Sequence, residues 1–244
     1  MHRFYVPPER LGDSIWLEPE DGHHAARVLR LRRGDRIAVF SGDGKERIVE
    51  LTEVGTCTTG GRVVGEWEPG SEPRSRVTLA QAIGKGDKLE WVIQKGTELG
   101  VSAFIPLVTV RVVVELREEK ARRKHERWQR IAREAAAQSG RTSVPAVGEA
   151  MRLADYLRSL PTDALALLAY EGESALSLRE ALVDLGDQPV HLIIGPEGGF
   201  APEEVSQAAA AGVRIVTLGR RILRTETAGL AAAALVFHAA GDLG

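Results

Sequence analysis

The stretch HLIIGPEGGF, His191 to Phe200, decides the fold. An aliphatic run stops in a Gly-Pro-Glu-Gly-Gly turn, and PEEVSQAAAAG (202–212) continues with helical composition. Strand, glycine turn and helix make the repeating unit of an α/β protein. The run does not alternate apolar and polar residues, as expected of a parallel strand covered on both faces. Pro202 suits a first helical turn, and Glu203 and Glu204 suit its positive end. Ala201, at the expected cap, has no side-chain oxygen, so about 1 kcal/mol of capping is missing.

The same rhythm extends to both sides. Strands are predicted over 76–83, 103–108, 164–170, 190–195 and 213–219. Helices are predicted over 86–100, 118–140, 177–186, 202–212 and 225–240. Residues 1–70 read differently. Short strands at 2–6, 14–18, 36–40, 47–54 and 62–67 are separated by turns such as SGDGK, with one helix near 19–32. That pattern predicts a small β-barrel. EPGSEPRS (68–75) is the linker, giving domains over 1–70 and 76–244.

Composition excludes several classes. The 244 residues are 43% hydrophobic and 27% charged, as in ordinary globular proteins. No apolar run approaches the roughly 20 residues of a membrane span. MHRFYVPPERLGDS has no apolar signal core, and the lone Cys57 forms no internal disulfide, so a cytoplasmic setting is expected. No Cys/His pair has zinc spacing, and no metal is expected. Net charge is −2 overall, but residues 76–149 sum to +5 and residues 150–244 to −5. RVLRLRRGDR (27–36) holds five arginines against one aspartate, a basic patch compatible with nucleic acid.

Three strands near the C-terminus end in turns rich in glycine or charge: LLAYEGES, LIIGPEGGF and VTLGRRILRTET. Ligands of α/β sheets sit beyond the carboxyl ends of strands, so the three turns are expected to share one pocket. Neither a Walker loop nor a dinucleotide fingerprint is present. Pyrophosphate needs bare N–H groups and positive potential. Pro196 removes an N–H, and Glu197 adds negative charge. A phosphate-free, cationic ligand such as S-adenosyl-L-methionine suits the turn better.

Five ordered blocks then carry a resemblance nearly end to end. They are HHAARVLRLRRGD (23–35) with FSGDGK, KGDKLEWVIQKGTELGVSAFIPLVTVR (85–111), AREAAAQSGRTSVP (132–145), LIIGPEGGFAPEEV (192–205) and LGRRILRTETA (218–228). The chain resembles the bacterial 16S ribosomal RNA uridine-N3 methyltransferases of the SPOUT class. The resemblance implies a PUA-like β-barrel followed by an α/β domain tied in a deep trefoil knot. It implies a homodimer that uses S-adenosyl-L-methionine on a uridine in the decoding region of 16S rRNA, within the 30S subunit. Another RNA, a 2′-hydroxyl target or a non-catalytic RNA-binding protein is the alternative.

For the site, the resemblance and the turn positions together name Arg224 and Glu226 as the leading catalytic pair. Arg224 is expected to hold the uracil oxygens as charge grows. Glu226 is expected to take the N3 proton or touch the cofactor; a mutual ion pair or a helix-dipole role is the bland reading. Arg111 and Arg141 are candidates for RNA contact or help at the uracil. Cofactor contacts are expected from Ala169, Tyr170, Ile194, Gly195, Pro196, Glu197, Gly198, Gly199, Leu218, Gly219, Ile222, Leu223, Arg224, Thr227 and Ala228, with Glu171 closing the pocket. Thr225 reads as an N-cap. RNA contacts are expected from Arg3, Arg27, Arg30, Arg32, Arg33, Lys85 and Lys95. His191, inside a strand, reads as structural.

Overall fold

The computed structural model describes residues 1–111, 118–173 and 175–244. Ser174, the last residue of the LLAYEGES turn, lies outside them. Two compact units result: Met1–Glu72 with Ala136–Val144, and Pro73–Ala135 with Pro145–Gly244.

The first unit holds β1 (Arg3–Tyr5), β2 (Ser14–Trp16), α1 (Pro19–His23), β3 (Arg36–Phe40), β4 (Glu46–Val54) and β5 (Thr59–Trp67). The hydrogen-bonded order is β1-β3-β4-β5-β2. Phe4, Ile15, Ile37, Val39, Val49 and Leu51 meet in one core, with Val63 of β5 packed against it. Alternate residues of each strand therefore point inward. β5 needs Gly61, because a Cβ there would lie 2.0 Å from the Glu50 carbonyl oxygen. The helix expected over 19–32 is shorter. α1 passes into a π-helical turn, His24–Val28, and Arg30 then takes a left-handed φ of 57°. Such a φ breaks helical repetition.

The second unit is a parallel sheet. Its strands are β6 (Val77–Ala82), β7 (Ala103–Val108), β8 (Ala146–Val147), β9 (Met151–Arg152), β10 (Leu165–Ala169), β11 (Val190–Ile194) and β12 (Arg214–Val216). The order is β12-β10-β11-β6-β7-β8, with β9 also on β7. The helices are α2 (Lys88–Leu99), α3 (Glu118–Ser139, whose residues from Ala136 on belong to the first unit), α4 (Leu153–Ser159), α5 (Leu178–Ala181), α6 (Pro202–Ala210) and α7 (Thr225–Ala239). β8, β9 and α4 were not legible: two-residue strands have no period to read. α5 stops well short of 186, although Ser177 and Glu180 form a full capping box.

β11 enters between β6 and β10, and all three are almost wholly buried. The chain then leaves through β12 at the edge and returns as α7, which packs on α2, β6 and β11. Ordinary connection rules disfavour such a return. α7 manages it with small residues. Ala228, Gly229, Ala232, Ala233, Val236 and Phe237 form its buried stripe. A Cβ on Gly229 would lie 2.5 Å from Gln81 Oε1.

α6 begins at Pro202 with Ala201 as an oxygen-free cap, as the sequence predicts. The buried Glu204 completes the end from inside. Its Oε2 accepts from the Ala201 N–H at 2.9 Å, and its Oε1 from the Val110 N–H at 2.9 Å. One half of a capping box is thus present, and Ala201→Ser supplies the other. We expect a gain of about 1 kcal/mol. A urea midpoint that stays put or falls would contradict this.

Candidate functional site

Beyond the carboxyl ends of β10, β11 and β12 lies a cavity of about 360 Å³. Ala169, Tyr170, Ile194, Gly195, Pro196, Glu197, Gly199, Leu218, Gly219, Ile222, Leu223, Arg224 and Ala228 line it, together with Glu171. The three turns do meet at one pocket. Gly198 and Thr227 are not in its lining. Lys88, Phe200, Thr217, Arg220, Arg221 and Thr225 also line it, beyond those expected. Arg220 and Arg221 stood in the quoted turn, visible as charge. Lys88 arrives from α2, more than a hundred residues away in sequence, with no local signal.

Hydrogen bonds shape the turns. Gly199 donates to the Pro196 carbonyl at 2.9 Å and takes φ +67°. Gly219 has φ +109°, and its N–H reaches Thr217 Oγ1 at 3.2 Å. Both angles favour glycine. Thr225 is not the cap of α7: Arg224 holds that position, without a side-chain bond. The Thr225 hydroxyl is buried and donates to the Gly195 carbonyl at 2.5 Å. It accepts from Gln81 Nε2 at 2.7 Å. One hydroxyl therefore ties the turn after β11 to the start of α7 and the end of β6.

Glu197 is exposed and lines the cavity, but its carboxylate is already engaged. Its Oε1 meets Lys88 Nζ at 2.8 Å and the Lys85 N–H at 3.1 Å. Lys88 Nζ also stands 3.4 Å from Glu226 Oε2. The Glu197 hydrogen bond raises Lys88 above its ordinary pKa. Burial opposes ionisation of Glu197, but the Lys88 and backbone hydrogen bonds outweigh it. Its carboxyl therefore titrates below the ordinary 4.5. The resulting stabilisation is complete above about pH 4.5 and is lost as pH falls through the lowered value. Lys88→Met should therefore destabilise the protein more at about pH 6 than at about pH 3. Equal losses at the two pH values, by urea titration, would contradict this pairing.

The remaining predicted residues lie elsewhere. Arg111 is exposed and donates to the Gly198 carbonyl at 2.5 Å, which brings it beside the turn. Glu226 is outside the cavity lining. Arg141 is buried, with Nη2 2.8 Å from Glu72. Glu72 also accepts the N–H groups of Thr142 and Ser143. Arg3 pairs with Glu46 and donates to the carbonyls of Ala136, Ala137 and Arg141. Both arginines hold residues 136–144 within the first unit. Arg27, Arg30, Arg32 and Arg33 are exposed on and after the π-helical turn. Lys85 is exposed, and Lys95 pairs with Glu98 at 2.7 Å. His191 is structural, its Nδ1 2.6 Å from the Tyr156 hydroxyl. Among the described residues no helix is long and apolar enough to cross a membrane. Among the described residues no group of three His, Cys, Asp or Glu side chains is placed to hold a metal ion.

The model of an RNA methyltransferase domain matches residues 71–237. The chain belongs to the RNA methyltransferase family. A model of its PUA domain matches residues 17–56. Within the family, the chain is 40% identical over 224 residues to Ribosomal RNA small subunit methyltransferase E of Bacillus subtilis, covering 90% of this chain and 88% of that one. The protein of the same name from Synechocystis is 34% identical, over 93% of this chain and 74% of its own. A crystal structure of a Ribosomal RNA small subunit methyltransferase E from Neisseria gonorrhoeae, bound to S-adenosyl methionine, superposes with a TM-score of 0.89. It is 34% identical and covers 98% of this chain and 97% of its own. The fold is the α/β SPOUT arrangement with a PUA-like unit before it.

Proposed function

We propose that the chain transfers a methyl group from S-adenosyl-L-methionine to N3 of a uridine in 16S rRNA, presented by the 30S subunit. The observation that carries this is the three-turn cavity, read together with the names of the relatives. Its residues fit the cofactor. Ile194, Leu218, Leu223 and Ala228 offer an apolar wall, Pro196 offers no N–H, and Glu171 brings a carboxylate. When bound, the cofactor supplies a methyl already activated by its sulfonium. The chain's task is alignment and help with the acceptor.

Uridine N3 is a poor nucleophile until it loses its proton. Arg224, exposed at the mouth of the cavity and fixed by the start of α7, is assigned to the uracil oxygens. A guanidinium there favours the anion spread over O2, N3 and O4. Glu226 faces Lys88 instead of the cavity, so we assign it to positioning Lys88 and leave the proton to solvent. Arg111 is assigned to RNA contact beside the Gly198 turn, and Arg141 to the fold.

Residues 1–70 serve as the RNA-binding domain and 76–244 as the catalytic domain, except that residues 136–144 belong to the first unit. Arg27, Arg30, Arg32 and Arg33 take phosphates, which makes affinity fall with salt. A homodimer in a cytoplasmic setting completes the proposal. Isothermal titration tests the cofactor directly. Saturable binding of S-adenosylmethionine and its demethylated product is expected; no binding of either overturns the proposal.

A further inference from the structure

The cavity carries more positive charge than its proposed cofactor explains. Lys88, Arg220, Arg221 and Arg224 line it, against Glu171 and Glu197. Glu197 neutralises Lys88 at 2.8 Å. Arg220, Arg221 and Arg224 are all exposed and make no ion pair among the described residues. S-adenosylmethionine brings a sulfonium and an ammonium against a single carboxylate. Its arrival makes the site more positive. The surplus suits an anion that comes with the other substrate.

We infer that Arg220 and Arg221 form a phosphate-binding lip on this cavity and hold the RNA backbone beside the target nucleotide. The inference rests on the reading of the cavity as the methyl-donor site. Local geometry supports it. Gly219, with φ +109° and its N–H on Thr217 Oγ1, bends the chain outward just before the pair. A Cβ on Gly219 would meet nothing within 4 Å, so the bend opens to solvent. Leu218 behind the bend and Leu223 ahead of it both line the cavity. The two guanidinium groups therefore stand at the rim, on the same loop as Arg224. A guanidinium fork matches phosphate oxygens in a bidentate way that a lysine point charge does not. The lip differs in task from the arginines of the first unit. Those supply affinity, whereas a phosphate held here orients the reacting nucleotide.

The test uses the full-length protein, 30S subunits and labelled S-adenosylmethionine. For the variant carrying Arg220→Ala and Arg221→Ala, KM for 30S subunits should rise roughly tenfold. The slope of log(kcat/KM) against log salt should become shallower by about 1.4, from two contacts at about 0.7 each on single strands. Cofactor Kd should stay within about twofold of wild type, because the removed groups face the other substrate. The double lysine variant should recover most of the salt slope. An unchanged KM and slope overturns the lip. So does a weakened cofactor Kd with an unchanged KM, since the arginines would then hold the cofactor's carboxylate. Amide hydrogen exchange on the wild-type protein separates the two readings. Added cofactor should slow exchange in 194–200 and 217–225. Absence of that protection overturns the cavity reading itself; its presence with unchanged RNA kinetics overturns the lip alone.

Discussion

Arg224→Ala is expected to lower kcat for methyl transfer by roughly 10²- to 10³-fold, the usual effect of removing one donor from a developing anion. Thermal stability and cofactor Kd should hardly move. The reason lies in how the residue is placed. Its carbonyl accepts the Thr227 and Ala228 N–H groups at 2.9 and 2.8 Å, so its backbone is the first link of α7. Its side chain makes no ion pair among the described residues and stands exposed at the cavity. Alanine keeps the backbone link and removes only the charge. Arg224→Lys should recover part of the rate, because a point charge reaches one uracil oxygen where a fork reaches two. Single-turnover kinetics with saturating cofactor gives the answer. A rate within threefold of wild type, or a cofactor Kd that weakens in step with the rate, contradicts the assignment.

Thr225→Val should have the largest effect on the fold of the site. The hydroxyl it removes serves two partners, the buried Gln81 and the half-buried Gly195. Gln81 Oε1 already lacks a hydrogen bond, and valine would leave its Nε2 only the long 3.5 Å contact with the residue 225 carbonyl. The Gly195 carbonyl loses its donor at the same time. An unsatisfied buried group costs about 1–3 kcal/mol, and part of the Gly195 loss is made up by water in the cavity, so the sum should be about 2–3 kcal/mol. Thr225→Ser keeps both bonds and should lose less than about 1 kcal/mol, the part owed to the missing methyl. Urea denaturation of both variants measures the difference. A valine variant as stable as the serine variant would mean that the relay contributes nothing.

These two neighbours show what a sequence reveals and what it hides. The apolar run before Gly195 and the proline and carboxylate of the turn express local physics. They made the parallel sheet and the three-turn pocket legible. Glu197 was legible as a charge but not as a pair, because its partner Lys88 comes from α2. Thr225 looked like a cap since threonine caps well in isolation. Burial beside Gln81 turned its hydroxyl inward instead. Arg141 and Arg3 looked like free surface cations. Their carboxylate partners, Glu72 and Glu46, lie 69 and 43 residues away. Charge is read from sequence easily; its neutralisation is a tertiary fact.

The most direct measurement is mass mapping of 16S rRNA from unmodified 30S subunits incubated with the protein and S-adenosylmethionine. The account predicts one added methyl group, on a single uridine, with the fragmentation pattern of a base methylated at N3. Methyl on a ribose hydroxyl, on transfer RNA in preference to 30S subunits, or on no RNA at all would contradict it.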